Sequence, residues 1–161
     1  MIRKSTGPRL GLTAALFLVA LLAFPAFPAV KNIAVIMSAG SKTADVQLAE
    51  LVKLCKGTQK AWADGRSFML VMKDPVASDM RTPVQKLFGM APADLKAAVP
   101  KLNESRQLVK IVETDEELLR TVEATPGAVG IVDVYSINSA VRVLRVDGKL
   151  PFDVGYPLKG N

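Results

Sequence analysis

Histidine is absent from this chain, and cysteine occurs once, at Cys55. The first absence removes imidazole-based triads, histidine general bases and histidine metal ligands together. The second removes any internal disulfide or thiolate cluster. What remains for catalysis is carboxylate-only chemistry, and no pair of acids is spaced to suggest it. An enzyme is therefore not expected, and neither a cofactor nor a metal is called for. Low-complexity tracts are missing too, so bulk disorder is not expected.

What is present is apolar mass. Half of the 161 residues are hydrophobic, enough for one ordinary domain with a proper core. Part of that excess lies at the N-terminus. Arg3, Lys4 and Arg9 form a basic lead, and Leu10 to Phe24 is an apolar run of 15 residues closed by Pro25 and Pro28. The run is short for a membrane span, which needs about 20 residues. It reads as an export signal over residues 1–29, with a domain over residues 30–161. An uncleaved membrane anchor is the alternative. No cysteine follows the run, so a lipoprotein anchor is excluded. The expected location is periplasmic or otherwise outside the cytoplasm.

Charge follows the same division. The whole chain carries +6, but residues 1–29 hold three of its 21 Lys+Arg and none of its 15 Asp+Glu, leaving +3. That balance gives no ground for nucleic-acid binding.

Along the chain, Asn32 to Met37 is a short apolar run expected of a strand covered on both faces. Ser38 to Thr43 is a polar loop. From about Asp45 the period becomes helical: Leu48, Leu51, Val52 and Cys55 share a face, and Gly57 stands where a left-handed cap would end the helix. Cys55 is thus expected in the core, as an inert thiol. Trp62 lies beside that helix end and reads as a packing residue. Phe68 to Met72 is a second buried strand, followed by a polar turn and a helix bearing Val84, Leu87, Phe88 and Ala91 on one face. Thr82-Pro83-Val84-Gln85 predicts a capping box there, with proline at the first helical position. Pro92 to Val99 is a further short helix, ended by Pro100. Leu108 to Val112 is a strand, and Thr114 to Glu117 predicts a second capping box, whose helix carries Leu118, Leu119 and Val122 inward. The acids of Glu113 to Glu117 suit a helix N-terminus and need no cation. Val129 to Val134 is another apolar strand. Val141 to Val146 alternates with Arg142 and Arg145 like an edge strand, and Asp147-Gly148 is a turn. The order β-α-β-α-α-β-α-β-β predicts a three-layer α/β sandwich with a mixed sheet.

Three segments then resemble a known family. Leu51-x-x-Leu54-Cys55-Lys56-Gly57 followed by Trp62 and Asp64-Gly65, then Pro126-Gly127-Ala128-Val129-Gly130-Ile131-Val132, then Val143 to Gly148 with Tyr156-Pro157-Leu158, are similar to segments of phosphate-type solute-binding proteins of ABC transporters. They come in the family's order and span nearly all of residues 32–158. The resemblance implies a lobe of a clamshell that closes on an oxyanion. At about 130 residues after the signal, it implies a single-lobe relative.

In that family a strand leads into a phosphate loop of small residues, hydroxyls and an arginine at a helix start, where free backbone amides meet the anion. The matching stretch here is Lys73-Asp74-Pro75-Val76-Ala77-Ser78-Asp79-Met80-Arg81. The resemblance carries ligand contact onto Ser78 and Arg81, and more loosely onto Lys73. Ser38 and Ser41, in the loop after the first strand, are candidates for the same cleft. Ala77, Asp79 and Met80 depart from the pattern, and the charge of Asp79 opposes an anion. Two functions are therefore weighed. One is a module binding a small oxyanion such as phosphate. The other is a structural lobe that has lost the anion and engages a periplasmic or membrane protein.

Overall fold

Alternation of side chains decides how the apolar runs are used. The computed structural model describes residues 31–159, so the expected signal lies outside the described residues. The strands are β1 (Ile33–Ser38), β2 (Asp45–Val46), β3 (Met69–Met72), β4 (Val109–Ile111), β5 (Ala128–Asp133), β6 (Val141–Val143) and β7 (Arg145–Val146). Five of them form one sheet in the order β4-β3-β5-β1-β6, and β2 pairs with β7 apart from it. Strand β3 runs parallel to β4 and β5, whereas β1 is antiparallel to both β5 and β6. The sheet is mixed, as expected.

Ile33, Val35, Met37, Leu70 and Met72 project to one face. The helices α1 (Leu48–Cys55), α2 (Arg81–Phe88) and α3 (Pro92–Leu102) cover that face through Leu51, Leu54, Val84, Leu87 and Leu95. Ala34, Ile36, Met69 and Val71 project to the other, beneath Leu118, Leu119 and Val122 of α4 (Asp115–Ala124). This is a three-layer α/β sandwich. Gly130 lets α4 lie close to the sheet. A Cβ there would stand 2.7 Å from Leu118 Cδ2 and 2.9 Å from Ile36 Cγ1, so alanine would force the layers apart.

Several boundaries differ from the sequence reading. Helix α1 begins at Leu48, because Asp45–Val46 is drawn into the β2–β7 pair, and Asp147 accepts the Leu48 amide at 2.8 Å across the fold. Helix α2 begins at Arg81, directly after a 3-10 turn over Ser78–Met80. The cap position is Met80, with no side-chain cap bond, and Pro83 falls third in the helix rather than first. Burial of Met80 in the core sets that early start, and Pro83 costs no bond among amides that have no intrahelical partner. Helix α3 runs through Pro100 to Leu102. Pro100 lies in the last turn, and Asn103 holds that turn in place, its Oδ1 accepting the Leu108 and Val109 amides at 2.9 Å. The expected edge strand is split. β6 flanks β1 and β7 joins β2, with Leu144 fully buried between them.

Other expectations hold. Gly57 is left-handed at φ 73° at the end of α1. Thr114 accepts the Glu117 amide at 3.1 Å, although Glu117 returns to the amide of Glu113, one residue earlier than in the usual box. Cys55 is fully buried, and burial pushes its thiol pKa well up, which leaves it unreactive. Trp62 packs edge-on to Phe68 at 5.9 Å and donates to the Gly127 carbonyl at 2.8 Å.

Candidate functional site

The direction of the parallel strands β3, β4 and β5 gives the sheet a carboxyl edge and an amino edge. In open α/β sheets, ligands sit beyond the carboxyl ends of such strands. The turn after β3, the start of α4 after β4 and the turn after β5 all open on that edge. Because β1 is antiparallel, its beginning reaches the same edge and its end reaches the opposite one.

Lys73 follows β3 directly, and its ammonium lies 2.5 Å from Asp115, the first residue of α4. Asp115 also accepts a short hydrogen bond from the Ser136 hydroxyl, in the 3-10 turn after β5. Burial works against the Asp115 carboxylate, yet the contacts with Lys73 and Ser136 prevail and hold its pKa below the usual range. Asp79, in the turn before α2, is buried to 4 % exposure and accepts from Lys31 at 3.1 Å. The Asp79 carboxylate, with weaker help from Asp133 and Asp115, raises the pKa of Lys31. The carboxyl edge therefore sets two ammonium groups against Asp79, Asp115 and Asp133.

Ser78 and Arg81 are exposed at the start of this helical segment, beside the buried Asp79. The turn preceding them is fixed: Asp74 accepts the Val76 amide at 3.1 Å and pairs with Lys96 of α3 at 2.7 Å. Lys73, Ser78 and Arg81 all lie on the connection from the end of β3 to the start of α2.

Ser38 and Ser41 do not join them. They lie where β1 ends, at the amino ends of β3 and β5, because the strand carrying them runs the other way. Ser41 is buried, and its hydroxyl is engaged with Met37 Sδ, the Thr43 amide and the Arg66 guanidinium. Both serines line a cavity of about 230 Å³ with Arg66 and Glu123, and Arg66 is itself paired with Asp64. The expected common cleft does not form.

Lys31, Asp115 and Ser136 were not found as site residues by sequence. By sequence Asp115 is only one of the acids that suit a helix start. A signal for it was the lysine directly after β3, which needs a partner where three connections meet.

Among the described residues, no group of three or more metal-ligating side chains is assembled. No helix among them is long and apolar enough to cross a membrane.

No protein-family model matches the sequence, and no curated protein does. Solved structures do match. An ABC-type phosphate transport receptor from Vibrio cholerae superposes with a TM-score of 0.56 at 12 % identity, covering 81 % of this chain and 54 % of that one. PstS from Borrelia burgdorferi gives 0.59 at 17 % identity, covering 80 % and 54 %. A putative phosphate ABC transporter substrate-binding protein from Clostridium perfringens, with bound phosphate, gives 0.57 at 16 % identity, covering 73 % and 46 %. The chain has the fold of phosphate-type solute-binding proteins and spans about half the length of these structures.

Proposed function

We propose that this chain is a non-catalytic binding lobe of the solute-binding type, working outside the cytoplasm. Its ligand is a small oxyanion such as phosphate, taken at the carboxyl edge by Lys73, Ser78 and Arg81. The observation that carries this reading is that all three stand on the connection from β3 to α2, beyond the carboxyl end of a parallel strand, where an α/β sheet of this kind receives ligands. The likeness to phosphate transport receptors supports it.

Asp79 and Asp115 set the terms of binding. An oxyanion must share Lys73 with a carboxylate 2.5 Å away, and repulsion between two charges about 4 Å apart is on the order of 1–4 kcal/mol. Binding is therefore weak while both acids are charged. Titration with phosphate tests this, comparing the wild type with Asp115→Asn. Tighter binding by the variant, by about tenfold, is expected from relief of that repulsion. If neither protein is stabilised by millimolar phosphate, the carboxyl-edge reading fails.

The ion pairs of Asp79 and Asp115 favour a second reading, a lobe that engages a periplasmic or membrane protein with its edge charges already satisfied. Tyr135, 83 % exposed beside Ser136, gives that surface an aromatic contact. Failure of both phosphate titrations, with a reproducible envelope partner lost on Tyr135→Ser, would favour it.

A further inference from the structure

We infer that the opposite edge of the sheet carries a separate site for a soluble anion bearing two or more phosphate charges. A cavity of about 290 Å³ opens between the C-terminal ends of α1 and α3, at the amino ends of β3 and β4. Lys56, Lys60, Lys101 and Arg106 line it together with the Ser105 hydroxyl, and no carboxylate does. Among the described residues, none of these four cations takes part in an ion pair. By contrast, Lys31, Arg66, Lys73, Lys96, Arg120 and Arg145 are each paired with an acid.

Helix ends account for only part of this. Lys56 and Lys101 complement the carbonyl ends of α1 and α3, a common placement for lysine. Lys60 and Arg106 belong to loops and have no such reason to converge on the same cavity. Arg106 is held in position, its Nη1 donating to the Lys60 carbonyl at 2.7 Å and the Phe68 carbonyl at 3.2 Å. Its Nη2 is sealed from solvent without a hydrogen-bond partner.

Arg106 is the fixed member of the set and Lys60 and Lys101 are exposed, while the Lys56 ammonium lies over Gly89 at the end of α2. Leu102 and Leu108 supply an apolar wall. Four cationic residues line the concavity with no carboxylate among them, and such an excess suits a pyrophosphate or phosphomonoester. A guanidinium fork with mobile ammonium groups is the usual chemistry for such anions.

The test is titration of the purified chain with inorganic pyrophosphate, followed by calorimetry and thermal shift. Two double variants of equal charge change are compared. Lys60→Gln with Lys101→Gln removes two exposed cations from the cavity without disturbing Arg106. Arg120→Gln with Lys149→Gln removes two from elsewhere. The expected result is saturable wild-type binding, weakened about tenfold or more by the first pair and less than about twofold by the second. No binding at about 10 mM pyrophosphate would overturn the proposal. Equal weakening by both pairs would also overturn it, because it would show only general charge screening. Binding that survives the first pair but is lost in Lys73→Gln would place the anion at the carboxyl edge, supporting the function proposed above and overturning this site.

Discussion

The two edges of the sheet handle positive charge in opposite ways. At the carboxyl edge, Lys31 and Lys73 are each held by a carboxylate of the same chain. At the amino edge, Lys56, Lys60, Lys101 and Arg106 surround a cavity with no acid in its lining. A fold that places ligands at the carboxyl ends of its parallel strands has here supplied its own anions at that position. Topology and available charge are thus separate properties. The first says where a site can be, and the second says whether an anion finds a free counter-charge there.

The contrast can be broken most forcefully at Arg106. Arg106→Met removes charge-assisted bonds to two backbone carbonyls, which contribute about 1.5–3 kcal/mol each. Urea unfolding should therefore show a loss of about 2 kcal/mol or more, the largest effect among these changes. A neutral outcome would mean that the guanidinium is not held by those carbonyls.

Asp115→Asn comes next. It removes the charge from a half-buried ion pair and from the acceptor of Ser136, leaving only an amide oxygen, so a loss of about 1 kcal/mol at neutral pH is expected. The sign in pH follows from the depressed folded-state pKa of Asp115. Its stabilisation is present above the unfolded value of about 3.9 and is lost as pH falls through the lower folded value. The wild type should lose stability faster than the variant below about pH 4, and parallel acid limbs would contradict the pairing.

Lys60→Gln and Lys101→Gln should each leave stability within about 0.5 kcal/mol, since both side chains are exposed and unpaired. Their effect belongs in anion titration alone. The smallest effect is expected for Arg81→Ala, which should change melting by less than about 1 °C, because its side chain is exposed at the start of α2. A larger drop would mean that Arg81 has a structural role rather than standing available for a ligand.

Much of the fold was legible in the sequence because period and caps are local. The runs at residues 32–37, 68–72 and 129–134 could be read as strands, and Thr114 with Glu117 marked the start of α4. What could not be read was set by distant partners. Met80 begins its helical segment early because it is buried, Asp147 caps α1 from across the chain, and two-residue strands such as β2 and β7 have no period to detect. The site failed for a related reason. An apolar run gives no strand direction, so Ser38 and Ser41 were assigned to an edge that β1 carries them away from. Asp79 was recognised as hostile to an anion, but its partner, Lys31, lies 48 residues away in sequence. Nothing in the sequence joins the lysines of the amino edge to Lys60 and Arg106, which share their cavity only in the fold.

The most direct test of the contrast is residue-resolved amide NMR during pyrophosphate titration of the wild type and of Asp115→Asn. Wild-type shifts should concentrate at Gly57, Ser105 and Arg106. Amides of Lys73 and Ser78 should respond appreciably only once Asp115 is neutralised. If wild-type shifts instead begin at Lys73 and Ser78 and leave Ser105 and Arg106 unmoved, the carboxyl edge is not self-neutralised and the account is wrong.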